Sequence, residues 1–289
     1  MLTLDNNAIK LVVCDIDGTI AYRTPSVNRF VSSNVIETIK TLRENNIYFV
    51  FNTGNSYITV DHIAEQFDAG KSKYTKYLVA VNGNCIFDFS TNTPYIQKTI
   101  SKSMIAEIQN ELDQFGVNLM VMNETADKIY ISNEKDKEKF IEILQDEGEN
   151  SIVFCKSPGD FPDAAQVTVE LTNPEFKGEI EFILQKYSND IDVSWWSEHG
   201  LDLNVKDVNK FSGLQGLIEI INDNEGENIT LSNVVYFGDQ NNDLSVFENH
   251  KYSIAMGNAI EEIKDHAFEI TDTVQDDGFP NYIKKITNK

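Results

Sequence analysis

The stretch Ile9-Lys10-Leu11-Val12-Val13-Cys14-Asp15-Ile16-Asp17-Gly18-Thr19 decides the fold. An apolar run that stops at a turn signal reads as a strand buried on both faces, the kind found in parallel sheets. Working outward, Val35, Ile36, Ile39 and Leu42 recur at helical spacing, with Asn34 as the expected cap and Glu37 three residues later. A second strand, Tyr48–Asn52, ends in Thr53-Gly54-Asn55. A helix over 57–67 leads to a third strand at 77–81, which ends in Asn82-Gly83. This β-α-β-α-β alternation predicts an α/β core: a doubly wound, Rossmann-like parallel sheet with right-handed crossovers.

The rhythm then changes. Short strand-like runs follow at 85–87, 117–122, 128–132, 152–155, 166–171 and 192–196. Helical stretches lie between some of them: one carries Ile105, Ile108, Leu112 and Phe115 and ends at Gly116, and others span 135–145 and 174–187. Paired strands followed by a helix predict an inserted α+β domain with an antiparallel sheet. The parallel rhythm returns with a helix over 209–222, bearing Phe211, Leu214, Leu217, Ile218 and Ile221. Strands follow at 234–237, 252–255 and 268–270. The expected division is a discontinuous core, 1–82 and 206–289, around a second domain, 83–205. No internal repeat or low-complexity tract interrupts it.

Composition narrows the function. The chain has 289 residues, with 24 Lys+Arg against 46 Asp+Glu and a formal net charge of -22. Such a surface repels phosphate backbones and anionic lipid, so nucleic acid and membranes are poor partners. Cys14, Cys85 and Cys155 form no Cys-x-x-Cys pattern and suggest buried reduced thiols. The start lacks a signal-peptide pattern and no apolar run could span a bilayer, so a cytoplasmic protein is expected, a monomer or weak homo-oligomer.

The core strands end in small and carboxylate-bearing residues: Asp15-x-Asp17-Gly18-Thr19, then Thr53-Gly54, then Gly238-Asp239-x-x-Asn242-Asp243. Ligands of open parallel sheets bind beyond the carboxyl ends of strands, so these residues can meet at one edge. Asp15, Asp17 and Asp239 together would need a compensating cation. Oxygen ligands without a His or Cys cluster favour Mg2+. One motif-one carboxylate could attack phosphorus while the other serves as acid and base. Thr53, the Gly54 backbone N–H and Lys210 could meet the phosphate. Each motif alone also reads as an ordinary turn or a surface lysine; all four in order at strand and helix ends do not.

On these residues the chain resembles the haloacid dehalogenase-like hydrolases, in particular the Cof-type phosphatases with a large α/β (type C2) cap. Motif one is Asp15-Ile16-Asp17-Gly18-Thr19, motif two Thr53, motif three Lys210 and motif four Gly238-Asp239-Gln240-Asn241-Asn242-Asp243. Asn82-Gly83 and Ala255-Met256-Gly257-Asn258-Ala259 also look like that subfamily. The resemblance implies Asp15 as nucleophile and Asp17 as acid/base, with the Asp17 backbone carbonyl also on Mg2+. It implies Asp239 as a metal ligand and Asp243 as a ligand or the support of a metal-bound water. Thr53, Gly54, Lys210 and Asn242 would contact phosphate. One departure is Asn55, where the family often has Arg. The implied reaction is hydrolysis of a small phosphorylated metabolite such as a sugar phosphate. A phosphohexomutase-like phosphotransferase and a non-catalytic sugar-phosphate sensor are the alternatives. Of Trp195-Trp196 one reads as core packing and the other as partly exposed, and His62, His250 and His266 read as surface or helix residues. The run 146–149 reads as a solvated loop, and Asp276-Asp277-Gly278 as a turn closing the last strand.

Overall fold

The computed structural model describes residues 2–25, 27, 29–138 and 151–287, and the side chain of Trp196 is outside the description. Most of the expected helix over 135–145 and the run 146–149 lie outside the described residues. The chain forms two compact units. The first comprises Met1–Gly54, Asp61–Thr93 and Asn209–Lys289, and the second Asn55–Val60 and Pro94–Val208.

In chain order, β1 (Leu11–Cys14) leads to α1 (Ser33–Glu44), β2 (Tyr48–Asn52), α2 (Tyr57–Ala64), β3 (Tyr77–Ala80), β4 (Cys85–Asp88) and β5 (Thr93–Ile96). The second unit continues with α3 (Lys102–Leu112), β6 (Val117–Asn123), β7 (Ile129–Ile131), β8 (Ile152–Phe154), β9 (Ala164–Leu171), α4 (Lys177–Leu184), β10 (Ile191–Ser197) and β11 (Gly200–Val205). Return to the first unit brings α5 (Lys210–Glu225), β12 (Val234–Gly238), α6 (Leu244–Asn249), β13 (Ser253–Ala255), α7 (Glu261–Asp265), β14 (Glu269–Ile270) and α8 (Gly278–Thr287).

The large sheet has the order β14-β13-β12-β1-β2-β3-β4-β5. Its first six strands are parallel, with Val12 opposite Val235 on one side and Phe49 on the other. Every residue of β1, β2, β3 and β12 is buried, as a sheet covered on both faces requires. On one face, Leu214, Leu217, Ile218 and Ile221 of α5 pack on Val13, Val50, Val79 and Tyr236. On the other, Phe49 and Phe237 meet Phe279 of α8, ring centroids 5.8 and 5.2 Å apart. Sequential strands run outward from β1 in one direction and from β12 in the other. The β1/β12 border is therefore the topological switch point, where a ligand crevice forms.

The second unit is built on a six-stranded sheet of order β8-β7-β6-β9-β11-β10. Ile105, Ile108 and Leu112 of α3 and Ile180 and Leu184 of α4 join Val121, Val167, Val169, Leu201 and Leu203 in one core. Trp195 packs against that core, and the Lys177 ammonium lies 4.5 Å from its ring centroid.

Several local expectations change. The run at 85–87, read as the start of the second domain, is β4, paired antiparallel to β3 in the first unit's sheet. Val81, Asn82 and Gly83 all have positive φ, at 54, 51 and 97°, and reverse the chain there. By compactness the second unit comprises Pro94–Val208 together with Asn55–Val60, where the sequence reading drew 83–205. The smaller sheet is not wholly antiparallel, because β7 and β8 run parallel. Ser32, not Asn34, caps α1 by accepting from the Val35 N–H at 3.3 Å. Asp277 does more than close a turn: its carboxylate accepts from Ser32 Oγ and Asn34 Nδ2, both at 2.5 Å. His250 is buried, with Nε2 3.2 Å from the Val234 carbonyl. β5, β11, α6, α7 and α8 have no counterpart among the expected elements. Among the described residues, no helix is long and apolar enough to cross a membrane.

Candidate active site

Asp15 is the first residue past β1, and its N–H donates to the Phe237 carbonyl of β12 at 2.9 Å. The sheet itself therefore sets the position of its Cα. Lys210 opens α5, and a capping box at Asn209 fixes that helix start: Asn209 Oδ1 accepts from the Phe211 and Ser212 N–H groups, both at 3.0 Å. From there Lys210 Nζ donates to Asp15 Oδ1 and to Asp243 Oδ1, each at 2.7 Å. Lys210 and Asp243 are fully buried and Asp15 is 5% exposed.

Asp243 is the most heavily bonded member. Oδ1 accepts from Lys210 and from the Tyr236 hydroxyl at 2.7 Å, and Oδ2 from the Asp239 and Gln240 N–H groups at 2.9 and 3.1 Å. Four donors fill the lone-pair sites of a carboxylate. Asp239 is bound more loosely: Thr19 Oγ1 lies 3.2 Å from its Oδ1, and Gln240 Nε2 and Asn258 Nδ2 lie 3.4 and 3.3 Å from its Oδ2. Asn258 Nδ2 also holds the Gly18 carbonyl at 2.8 Å, which ties motif one to the 255–259 segment. Gly18 has φ 85°, and a Cβ there would stand 2.2 Å from Asp239 Oδ2, so only glycine fits.

Carboxylate oxygens of Asp15, Asp239 and Asp243 lie within 4.8 Å of one another, all buried. Among the described residues, one ammonium, that of Lys210, bonds within this group of three carboxyls. Burial, reinforced by Asp243, pushes Asp239 up to about 7, while Lys210 and Thr19 pull it back. Burial likewise raises Asp15 well above the carboxylate range, against the pull of Lys210. Burial opposes the charge on Lys210, but Asp15 and Asp243 outweigh it and hold the ammonium form. A cluster with this excess of acceptors suits a hard divalent cation.

Beside it, Thr53 is buried at the end of β2, and its carbonyl accepts from the Asn82 N–H at 3.1 Å. Asn242 Nδ2 donates to Asn82 Oδ1 at 3.2 Å. A Cβ on Gly54 would lie 2.8 Å from Asn82 Oδ1 and 3.3 Å from Asn242 Nδ2. Thr53, Gly54 and Asn242 thus gather around Asn82, and Asn52 Nδ2 joins the same strand end to the Lys210 carbonyl at 2.9 Å.

Asp17 is the exception. Its carboxylate lies outside the buried triad and is gripped by Arg29, Nε to Oδ1 and Nη2 to Oδ2, both at 2.8 Å. Sequence reasoning missed Arg29, Tyr236 and Asn52. Arg29 sits in a polar excursion that also carries Arg23, and Tyr236 and Asn52 sit in apolar strands, so only proximity in space singles them out.

The family model for haloacid dehalogenase-like hydrolases matches residues 12–283. MG265 of Mycoplasma genitalium is 25% identical over 276 residues, covering 91% of this chain and 93% of its own. The 5-amino-6-(5-phospho-D-ribitylamino)uracil phosphatase YcsE of Bacillus subtilis is 22% identical, covering 96% and 95%. Among solved structures, the sugar phosphatase BT4131 superposes with a TM-score of 0.76 at 22% identity, covering 96% and 99%. The match to the family model spans both sheets and every motif above, and the chain belongs to the haloacid dehalogenase-like hydrolases.

Proposed function

We propose that this phosphatase hydrolyses a small phosphomonoester, a sugar phosphate or a similar metabolite, through an aspartyl-phosphate on Asp15. The observation that carries the reading is the buried Asp15–Lys210–Asp243 chain at the switch point of the sheet, with Asp239 beside it. Asp15 Oδ1 is held by Lys210, so the carboxylate is oriented and Oδ2 is the oxygen left to attack phosphorus. Lys210 accompanies the attacking carboxylate and can pass to the phosphoryl oxygens as charge builds on them. The Gly54 N–H, the Thr53 hydroxyl and the Asn242 amide supply further donors for those oxygens. Asp17 protonates the leaving oxygen and then takes a proton from the attacking water.

The donor set fits Mg2+. Asp15 and Asp239 would hold it, with the Asp17 carbonyl, and Asp243, its lone pairs already filled, would support the shell from behind. When bound, Mg2+ supplies charge neutralisation between an anionic nucleophile and an anionic phosphate. The relatives that act on phosphorylated small molecules support the substrate class. In this reading the first unit is the catalytic core and the second the substrate-specificity domain. Asp15→Asn, which keeps shape and removes the nucleophile, is expected to abolish phosphate release from an aryl phosphate while the fold stays intact by circular dichroism. Retained turnover would refute the mechanism.

A further inference from the structure

After Gly18-Thr19 the chain makes an excursion that returns as a short antiparallel pair, Ala21 opposite Val31 and Tyr22 opposite Phe30. The base of that pair is bonded to motif one: Gly18 N–H donates to the Ala21 carbonyl at 2.8 Å, and Asp17 bridges to Ala21. Arg29 immediately precedes the returning strand. Both members of the Asp17–Arg29 pair are therefore rooted in one small motif, which fixes their separation.

The two partners are unequal. The Arg29 side chain is 14% exposed and that of Asp17 is 50% exposed. The anchored partner is the guanidinium, a planar fork of donors that cannot act as a base. His62 on α2 registers its charge: burial pushes the His62 pKa down and Arg29 pushes it further. With both arms of the fork engaged, each Asp17 oxygen is an acceptor. A general acid needs one oxygen that carries a hydrogen and faces the leaving group.

We propose that Arg29 is a positioning residue for Asp17, retaining one carboxylate oxygen through one arm of the guanidinium while the other oxygen turns to serve the leaving group. The inference rests on the phosphatase reading of Asp15 and Asp17. As the bond from phosphorus to the leaving oxygen breaks, the proton on the freed Asp17 oxygen moves to that leaving oxygen and an alcohol departs. When water attacks the phosphoryl group on Asp15, its proton passes to the same Asp17 oxygen and inorganic phosphate leaves. One water is consumed per ester, and Arg29 gains and loses no proton.

Leaving-group dependence tests this, because a nitrophenolate departs without a proton and an alkoxide does not. Arg29→Met is expected to lower kcat/KM, which reports transfer to Asp15 and not the water step the two substrates share, about 10–100-fold on an alkyl phosphate and less than about threefold on p-nitrophenyl phosphate. Arg29→Lys, which keeps one donor arm, should restore part of the alkyl activity. Asp17→Asn should give the same selectivity more strongly. Equal losses on both substrates, or none on either, with Asp17→Asn still selective, would overturn the role of Arg29 and leave the phosphatase reading standing. An Asp17→Asn variant without selectivity would overturn both roles.

Discussion

Asp239 is strained by its surroundings in a way that separates stability from activity. Its carboxyl is raised to about 7, burial first and Asp243 second. Between the unfolded value near 3.8 and about 7 the folded protein therefore holds the proton that the unfolded chain releases. Stability falls as pH rises through that window. Above it, the chelated wild type carries the full deficit. Asp239→Asn should accordingly melt higher than wild type in chelator at pH 8, by on the order of 2 kcal/mol, while losing phosphate release and the rise in Tm on adding Mg2+. His250 titrates with the opposite sign. Burial depresses it to about 4, so below 6.5 the unfolded chain binds the proton first. Stability worth about 3 kcal/mol is lost as pH falls from 6.5 towards 4. Comparing denaturant midpoints of wild type and His250→Asn across that range should show the variant with the shallower acid decline.

At the scale of elements, the site depends on how closely α5 approaches the end of β3. A Cβ on Gly213 would lie 2.5 Å from Gly83 Cα and 2.7 Å from Val79 Cγ1, and one on Gly83 would lie 2.0 Å from the Asn209 carbonyl oxygen. Alanine in a helix interior ordinarily stabilises by about 1 kcal/mol, but backbone overlap of this size costs more. Gly213→Ala should therefore destabilise by about 1–3 kcal/mol and lower kcat by shifting Lys210. Gly178→Ala in α4, where a Cβ meets nothing within 4 Å, should be neutral or slightly stabilising. Thermal melts of the two variants decide the point. The parallel core was legible because its strands are continuous apolar runs closed by turn residues. Asp15, Lys210, Asp239 and Asp243 stood out by their places at element ends, and the structure brings those four together. β4 was assigned to the wrong unit because a strand reversal driven by positive φ at Val81 and Asn82 has no apolar signature. β11 was missed because it follows β10 after a tight turn, with Asp202 and Asn204 alternating with its apolar residues.

At the scale of the whole molecule, the formal charge of -22 opposes the approach of a phosphate dianion, and the buried Lys210 is too short-ranged to offset it at a distance. Salt screens that repulsion, so kcat/KM for a phosphomonoester should rise severalfold between about 10 and 150 mM NaCl while kcat stays level. Steady-state rates at fixed pH and free Mg2+ would measure it, and a fall in kcat/KM would point to an attractive field at the entrance. The resemblance read from four short motifs extends across the chain, with the family model matching 12–283. What the motifs do not encode is the hold on Asp17, which arises only when the excursion after β1 folds back. Acid quench of the intact enzyme during turnover with Mg2+, followed by peptide mass spectrometry, looks for the aspartyl-phosphate itself. A phosphoryl group on Asp15, absent in Asp15→Asn, is the result predicted. Burst turnover with Asp15 unmodified, or phosphate carried on another residue, would contradict it.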